Sequence, residues 1–143
     1  MEKQIIETLG SLHTHAIDAR NGYQEALKDA EGQGLTKLFT DMIALHTRNA
    51  DELAAALMSA GGKVEDDGSF MSVVHKTIMD IRSLFGGLGA SVIPGLIDGE
   101  TRNMKAYDKA IADDPLPDHT QALLTTQKAR LASAIVAMRA QIV

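Results

Sequence analysis

Four long stretches of the chain repeat apolar residues at alternating steps of three and four, the spacing that lines one face of a helix. In the first, Ile5, Leu9, Leu12, Ala16, Ala19, Tyr23, Ala26 and Ala30 form a sustained seam and predict a helix over about residues 3–30. Gly22 interrupts it at a cost of about 1 kcal/mol relative to Ala, and leaves room for another helix to come close. After a break at Gly32-Gln33-Gly34, a second seam runs through Leu35, Phe39, Met42, His46, Asn49, Leu53, Ala56 and Ala60. The predicted helix starts at Leu35 or Thr36, and Gly61-Gly62 ends it, because glycine readily takes the left-handed conformation of a helix C-terminus. A third long helix, capped by Ser91 with Pro94 in its first turn, carries Ile97, Glu100, Met104, Tyr107 and Ile111 on one stripe. It stops before Asp113-Asp114-Pro115-Leu116-Pro117, and the last helix, residues 118–142, has Leu124, Gln127, Leu131, Ala134 and Met138 on its seam.

The connections set the architecture. The long helices form two hairpins, first with second and third with last, each joined by a short break. Between the hairpins lie a loop over residues 63–69 and a shorter helix over residues 70–85, with Phe70, Val74, Ile78, Ile81 and Phe85 on one side. Gly86-Gly87-Leu88-Gly89 stops that helix and, with no Lys-Ser/Thr after it, is a linker and not a phosphate loop. A helix of ~26 residues is roughly 39 Å long at 1.5 Å per residue, and a connection with ~16 helical residues can run back along much of it. The expected fold is therefore all-α: a four-helix bundle of two hairpins joined by a long crossover that contains an additional short helix, one domain over residues 1–143.

Each of the last three seams carries a polar member: His46 and Asn49, Glu100, and Gln127. A carboxylate in an apolar seam needs a hydrogen bond, an ion pair, a metal or a bound proton. Composition narrows what those residues could serve. The chain is 45% apolar and 3% aromatic, so Leu, Ile, Ala and Met fill its core, and Met42, Met104 and Met138 are adaptable filling there. A net charge of −5 with no run of Lys or Arg argues against nucleic acid and anionic membrane as partners. The absence of Cys removes disulfides, thiolate metal sites and thiol catalysis. The start, MEKQIIETLG, lacks the form of a signal peptide and no stretch approaches a membrane span, so a cytoplasmic location is expected.

Several motifs resemble those of known proteins. Gly99-Glu100 followed by Tyr107, and Ala19-Arg20-Asn21 leading to Tyr23, are similar to the helix pattern of rubrerythrins. Asp18 before Gly22-Tyr23, the Gly61-Gly62 pair, His75-Lys76-Thr77-Ile78-Met79-Asp80 in the short helix, and Gly99-Glu100 with Tyr107 together resemble a family of small bacterial ferritin-like proteins of unknown function. Ile78 stands where that family has Trp. A weak internal repeat accompanies the likeness: Gly22-Tyr23-Gln24-Glu25-Ala26-Leu27 is similar to Ala106-Tyr107-Asp108-Lys109-Ala110-Ile111. The resemblance implies the ferritin-like scaffold. Its di-iron members need a Glu on each of two helices and a Glu-x-x-His on each of the other two. Here Ala16 stands seven residues before Tyr23, Ile43 stands three before His46, and the last helix offers only Gln127 on its seam.

Two readings follow. In the first, Glu100, His46, Asn49 and Gln127 form a hydrogen-bonded polar layer in a binding or structural protein that is not an enzyme and holds no cofactor, with Glu100 either protonated or hydrogen-bonded to neighbours such as His46 and Gln127. In the second, Glu100 and His46 belong to a reduced site for iron, manganese or zinc, or to an oxidoreductase relative. A pocket beside Glu100 for an unidentified small molecule is a third possibility. Tyr23 and Tyr107 are expected as core rings with satisfied hydroxyls, and His75 as an anchor for the short helix or a donor to a buried carboxylate such as Asp18. His13 and His15 point to different sides of their helix, and His15 is expected in solvent. A spare apolar helix face makes a homo-oligomer the expected state.

Overall fold

A computed structural model describes residues 2–29, 34–63, 93–113 and 116–141. Among the described residues there are four α-helices and no strand: α1 (Glu2–Asp29), α2 (Thr36–Ser59), α3 (Ile93–Asp113) and α4 (Asp118–Ala140). These bounds follow the seams to within a residue or two. The predicted short helix over residues 70–85, and His75 with it, lies outside the described residues, as does the Ser91 cap.

The seams are what the helices bury. Leu9, Leu12, Ala16, Tyr23 and Ala26 of α1 are shielded from solvent, as are Phe39, Met42, Leu53 and Leu57 of α2. Leu96, Ile97 and Tyr107 of α3 and Leu124, Leu131 and Met138 of α4 complete the interior. Ala19 and Met104 are half-buried at its margins. Removing such side chains from water is the main favourable contribution to the fold. The helices pack α1 on α2 and α3 on α4, and the two pairs meet through α1 with α3 and α2 with α4.

Two apolar clusters mark the ends of the assembly and give each helix its direction. One gathers Tyr23 and Ala26 from late α1, Leu35 to Met42 from the start of α2, Ile93 to Ile97 from the start of α3, and Ile135 and Met138 from late α4. The other gathers Ile5 to Ile17 of α1, Ala50 to Leu57 of α2, Tyr107 and Ala110 of α3, and Leu124 and Leu131 of α4. Thus α1 and α2 are antiparallel, α3 and α4 are antiparallel, and α2 runs in the same direction as α3. In a simple up-down-up-down bundle α2 and α3 would oppose one another.

The end of α2 shows how sequence stops a helix. Gly61 has φ of +90°. Its N–H donates to the Met58 carbonyl at 3.0 Å, and the Gly62 N–H donates to the Leu57 carbonyl at 2.9 Å. This is the paired bonding of a Schellman cap, with glycine at the left-handed position. The turn also folds Gly62 against the helix: a Cβ there would stand 2.6 Å from Leu57 Cδ1 and 3.1 Å from Ile6 Cγ2. Gly61→Ala should therefore lower stability by about 1–2 kcal/mol, the cost of a left-handed L-residue. Gly10 sits within α1 with nothing within 4 Å of its would-be Cβ, and Gly10→Ala should raise stability by up to about 1 kcal/mol through helix propensity. Urea midpoints of the two variants, moving in opposite directions, check both expectations.

Candidate functional site

At mid-length, α3 presents Glu100 to the interior, where it is 5% exposed. Two other helices reach it. The Tyr23 hydroxyl of α1 donates to Glu100 Oε1 at 2.9 Å. His46 of α2, fully buried, brings Nε2 within 2.9 Å of the same oxygen. A carboxylate oxygen carries no hydrogen to give, so the proton in this contact rests on His46 Nε2. The Tyr23 and His46 rings stack at 5.8 Å and 17°, and Phe39 meets Tyr23 edge-on at 5.6 Å. One oxygen thus ties three helices, inside walls of aromatic and aliphatic carbon.

Two opposing effects set the charge on Glu100. Burial pushes its carboxyl up, because a charge loses its hydration. The charge and N–H of His46, the Tyr23 hydroxyl and the Asn103 amide, which favours the ionised form, outweigh that and hold it below the usual carboxylate range. Burial, and then the charge of Glu100, pushes the Tyr23 hydroxyl well above its ordinary value, so it stays a donor. Glu100 Oε2 and His46 Nδ1, by contrast, are buried without a hydrogen-bond partner among the described residues. The site is therefore satisfied on one side only.

A second polar network lies further along α3. The Tyr107 hydroxyl donates to Gln127 Oε1 of α4 at 2.7 Å. Gln127 Nε2 donates to the Asn49 carbonyl at 3.1 Å and to Glu52 Oε1 at 3.2 Å, both on α2. Arg130, one turn on from Gln127, forks onto both Glu52 oxygens and donates to Asn49 Oδ1 at 2.9 Å. The Arg130 hydrogen bond, followed by that of Gln127, holds Glu52 below its ordinary value against the opposing effect of partial burial. The fork is the planar geometry that arginine and carboxylate share.

The polar residues expected on the seams are therefore all in the interior, but in two groups. His46, Tyr23 and Glu100 meet. Gln127 joins Tyr107 and Asn49 instead of Glu100. Asp18 makes no hydrogen bond to either group. It is 5% exposed, its Oδ2 has no partner among the described residues, and burial raises its pKa to about 6. His15 is exposed as expected, whereas its neighbour His13 is buried. Glu52, Arg130 and Asn103 escaped the sequence reasoning, because none lies on a seam. The spacing that could have revealed the first two is Asn49 to Glu52 and Gln127 to Arg130: each is three residues, and the flanking charges are opposite.

The described residues do not bring together the ligand set of a di-iron centre. Ala16 is buried within the apolar cluster of its end, Ile43 packs against the opposite cluster, and Gln127 is committed to Tyr107 and α2. Among the described residues no three His, Asp or Glu side chains converge as metal ligands. No described helix is long and apolar enough to cross a membrane.

Residues 4–113 match the model of a family described as "Domain of unknown function (DUF2383)". The match takes in α1, α2 and α3, including Tyr23, His46 and Glu100. No curated protein and no solved structure matches the chain.

Three outcomes follow from this geometry. Glu100→Leu and His46→Leu should each destabilise the protein, by about 3–5 kcal/mol if the remaining partner stays buried. The double variant should recover part of that, with a coupling of about 1–3 kcal/mol in a urea double-mutant cycle. Because the folded pKa of Glu100 is depressed, its stabilisation should be complete above the ordinary value of 4.5 and be lost as pH falls through the lower folded value. An acid titration of wild type against Glu100→Gln reads that difference. Asp18 has the opposite sign: its raised pKa means that stability falls as pH rises from 3.8 through about 6. Asp18→Asn should then be more stable than wild type at pH 8, with the advantage vanishing near pH 4.

Proposed function

The chain belongs to that family of unknown function, and from this premise we propose that it is a non-catalytic ferritin-like bundle, a binding or structural protein whose Glu100 layer fixes the helices instead of holding metal. The direction of the helices supports the scaffold. α2 ends at one end of the bundle and α3 begins at the other, the relation expected of two hairpins wired by a long crossover. The observation that carries the role of the layer is that Tyr23, His46 and Glu100, from three helices, meet at a single oxygen. On this reading the chain needs no metal cofactor. It acts through its surface, in the cytoplasm, as a homo-oligomer.

A second reading has one observation in its favour. Among the described residues Glu100 Oε2 and His46 Nδ1 are unpartnered, and a metal-binding relative would use Glu100 and His46 as ligands for iron, manganese or zinc. Glu100 Oε1 fixes His46 Nε2, as a carboxylate often fixes the second nitrogen of a metal-ligating histidine, but no third ligand converges on the pair among the described residues, which weighs toward the structural layer. Elemental analysis of protein purified without chelator separates the two. We expect substoichiometric metal in wild type and no difference in Glu100→Gln. Stoichiometric iron, manganese or zinc in wild type, absent from Glu100→Gln and His46→Gln, would replace the structural layer with a metal site.

A further inference from the structure

α4 carries two seams, and the bundle uses one of them. Leu124, Gln127, Leu131 and Met138 face the interior and are buried. On the opposite side His119, Ala122, Thr126, Ala129, Ser133 and Val136 also recur at alternating steps of three and four, and every one of them is exposed. Val136 is 65% exposed, more than any other large apolar residue among those described. This outer seam runs for about 26 Å at 1.5 Å per residue.

The charges beside it are of two kinds. Lys128 and Arg130 are turned back onto neighbouring helices, Lys128 to Asp108 of α3 and Arg130 to Glu52 of α2, which leaves the seam uncharged. Asp118 and Arg139 are exposed and make no ion pair with another described residue. They stand three seven-residue repeats apart, so they occupy one flank of the seam, at opposite ends of the helix. An acid and a base so placed are complementary to themselves when the helix meets its own copy antiparallel.

The seam has the same property. A two-fold axis between Thr126 and Ala129 sets Thr126 over Ala129 of a second copy, Ala122 over Ser133 and His119 over Val136. The same register brings Asp118 beside Arg139 of the second copy, twice. Small side chains at its centre let the two helix axes approach to about 8 Å. Sliding one copy by a seven-residue repeat restores a seam but separates these charges and brings Arg130 against Arg130. The charges therefore select one register. Each chain has a net charge of −5, so two copies repel except where a face is uncharged or oppositely charged.

We propose that this face of α4 is the contact between two copies of the chain, an isologous antiparallel pairing held in register by Asp118 with Arg139. It gives a surface to the homo-oligomer proposed above and rests on that reading.

Sedimentation equilibrium of the full chain over a range of concentrations tests the contact. Wild type should show a monomer–dimer equilibrium. Ala129→Glu sets two carboxylates near each other at the two-fold and should weaken the dimer by about a hundredfold. Asp118→Arg and Arg139→Asp should each weaken it by about tenfold, and the double variant should restore the wild-type constant. All three positions are exposed, so the circular dichroism of the variants should match wild type. The chain has no Cys, so an introduced one reports the register: Ala122→Cys mixed with Ser133→Cys should oxidise to the mixed dimer in preference to either like pair. A monomer at every concentration would overturn both this contact and the oligomer on which it rests. A dimer indifferent to Ala129→Glu, charge reversals that fail to rescue one another, or cross-linking of like pairs would overturn the α4 contact alone.

Discussion

The arrangement depends on one oxygen atom. Glu100 Oε1 lies within hydrogen-bonding distance of Tyr23 on α1 and His46 on α2 while belonging to α3. Apolar contacts hold helices together but tolerate sliding, since one aliphatic side chain can replace another in a groove. A charged acceptor shared by two donors does not. A shift of α3 by a single turn, about 5.4 Å, would leave the carboxylate, the imidazole and the hydroxyl each buried and alone. The contact contributes little net energy over a well-packed apolar alternative. Its effect is to make other registers expensive.

The second network applies the same logic to α4. Gln127 and Arg130 bind the flank of α2 through Asn49 and Glu52. The two networks differ in exposure. The Glu100 group is sealed, whereas the Arg130–Glu52 pair is partly open to solvent, where ion pairs are screened and weaker. The sealed group therefore sets the placement of α1, α2 and α3, and the half-open one adds the last helix. The internal repeat explains why the networks are unlike. Aligning Tyr23 with Tyr107 also aligns Ala16 with Glu100, each seven residues earlier. Tyr23 finds a carboxylate across the bundle. Tyr107 shares its cluster with Ala16, which has nothing to accept a hydrogen bond, and it donates to Gln127 instead.

Much of this was legible before any coordinates. The alternation of three and four located all four long helices, and the Gly61-Gly62 stop is where α2 ends. Polar interruptions of apolar seams named His46, Asn49, Glu100 and Gln127 as interior residues, because a seam position is buried whatever occupies it. Seam membership gives no depth along the bundle, however. It placed Gln127 beside Glu100, when the two face different partners. Nor does it report flanking positions, so Glu52 and Arg130 stayed hidden. Their contact joins residues 78 apart in sequence, a pairing that no local pattern encodes.

The shared direction of α2 and α3 has a consequence for the order in which the chain assembles. Each hairpin closes over a short turn and can form from contacts near in sequence, which is fast. The Glu100 contacts span 54 and 77 residues. They exist only once one hairpin has docked on the other. Docking is then the slow event, and the groups that must shed water in it are the carboxylate, the imidazole and the phenol. The polar layer acts as a late proofreading step: hairpins that collapse in a wrong register retain buried, unpaired charge and come apart, while the correct one is kept.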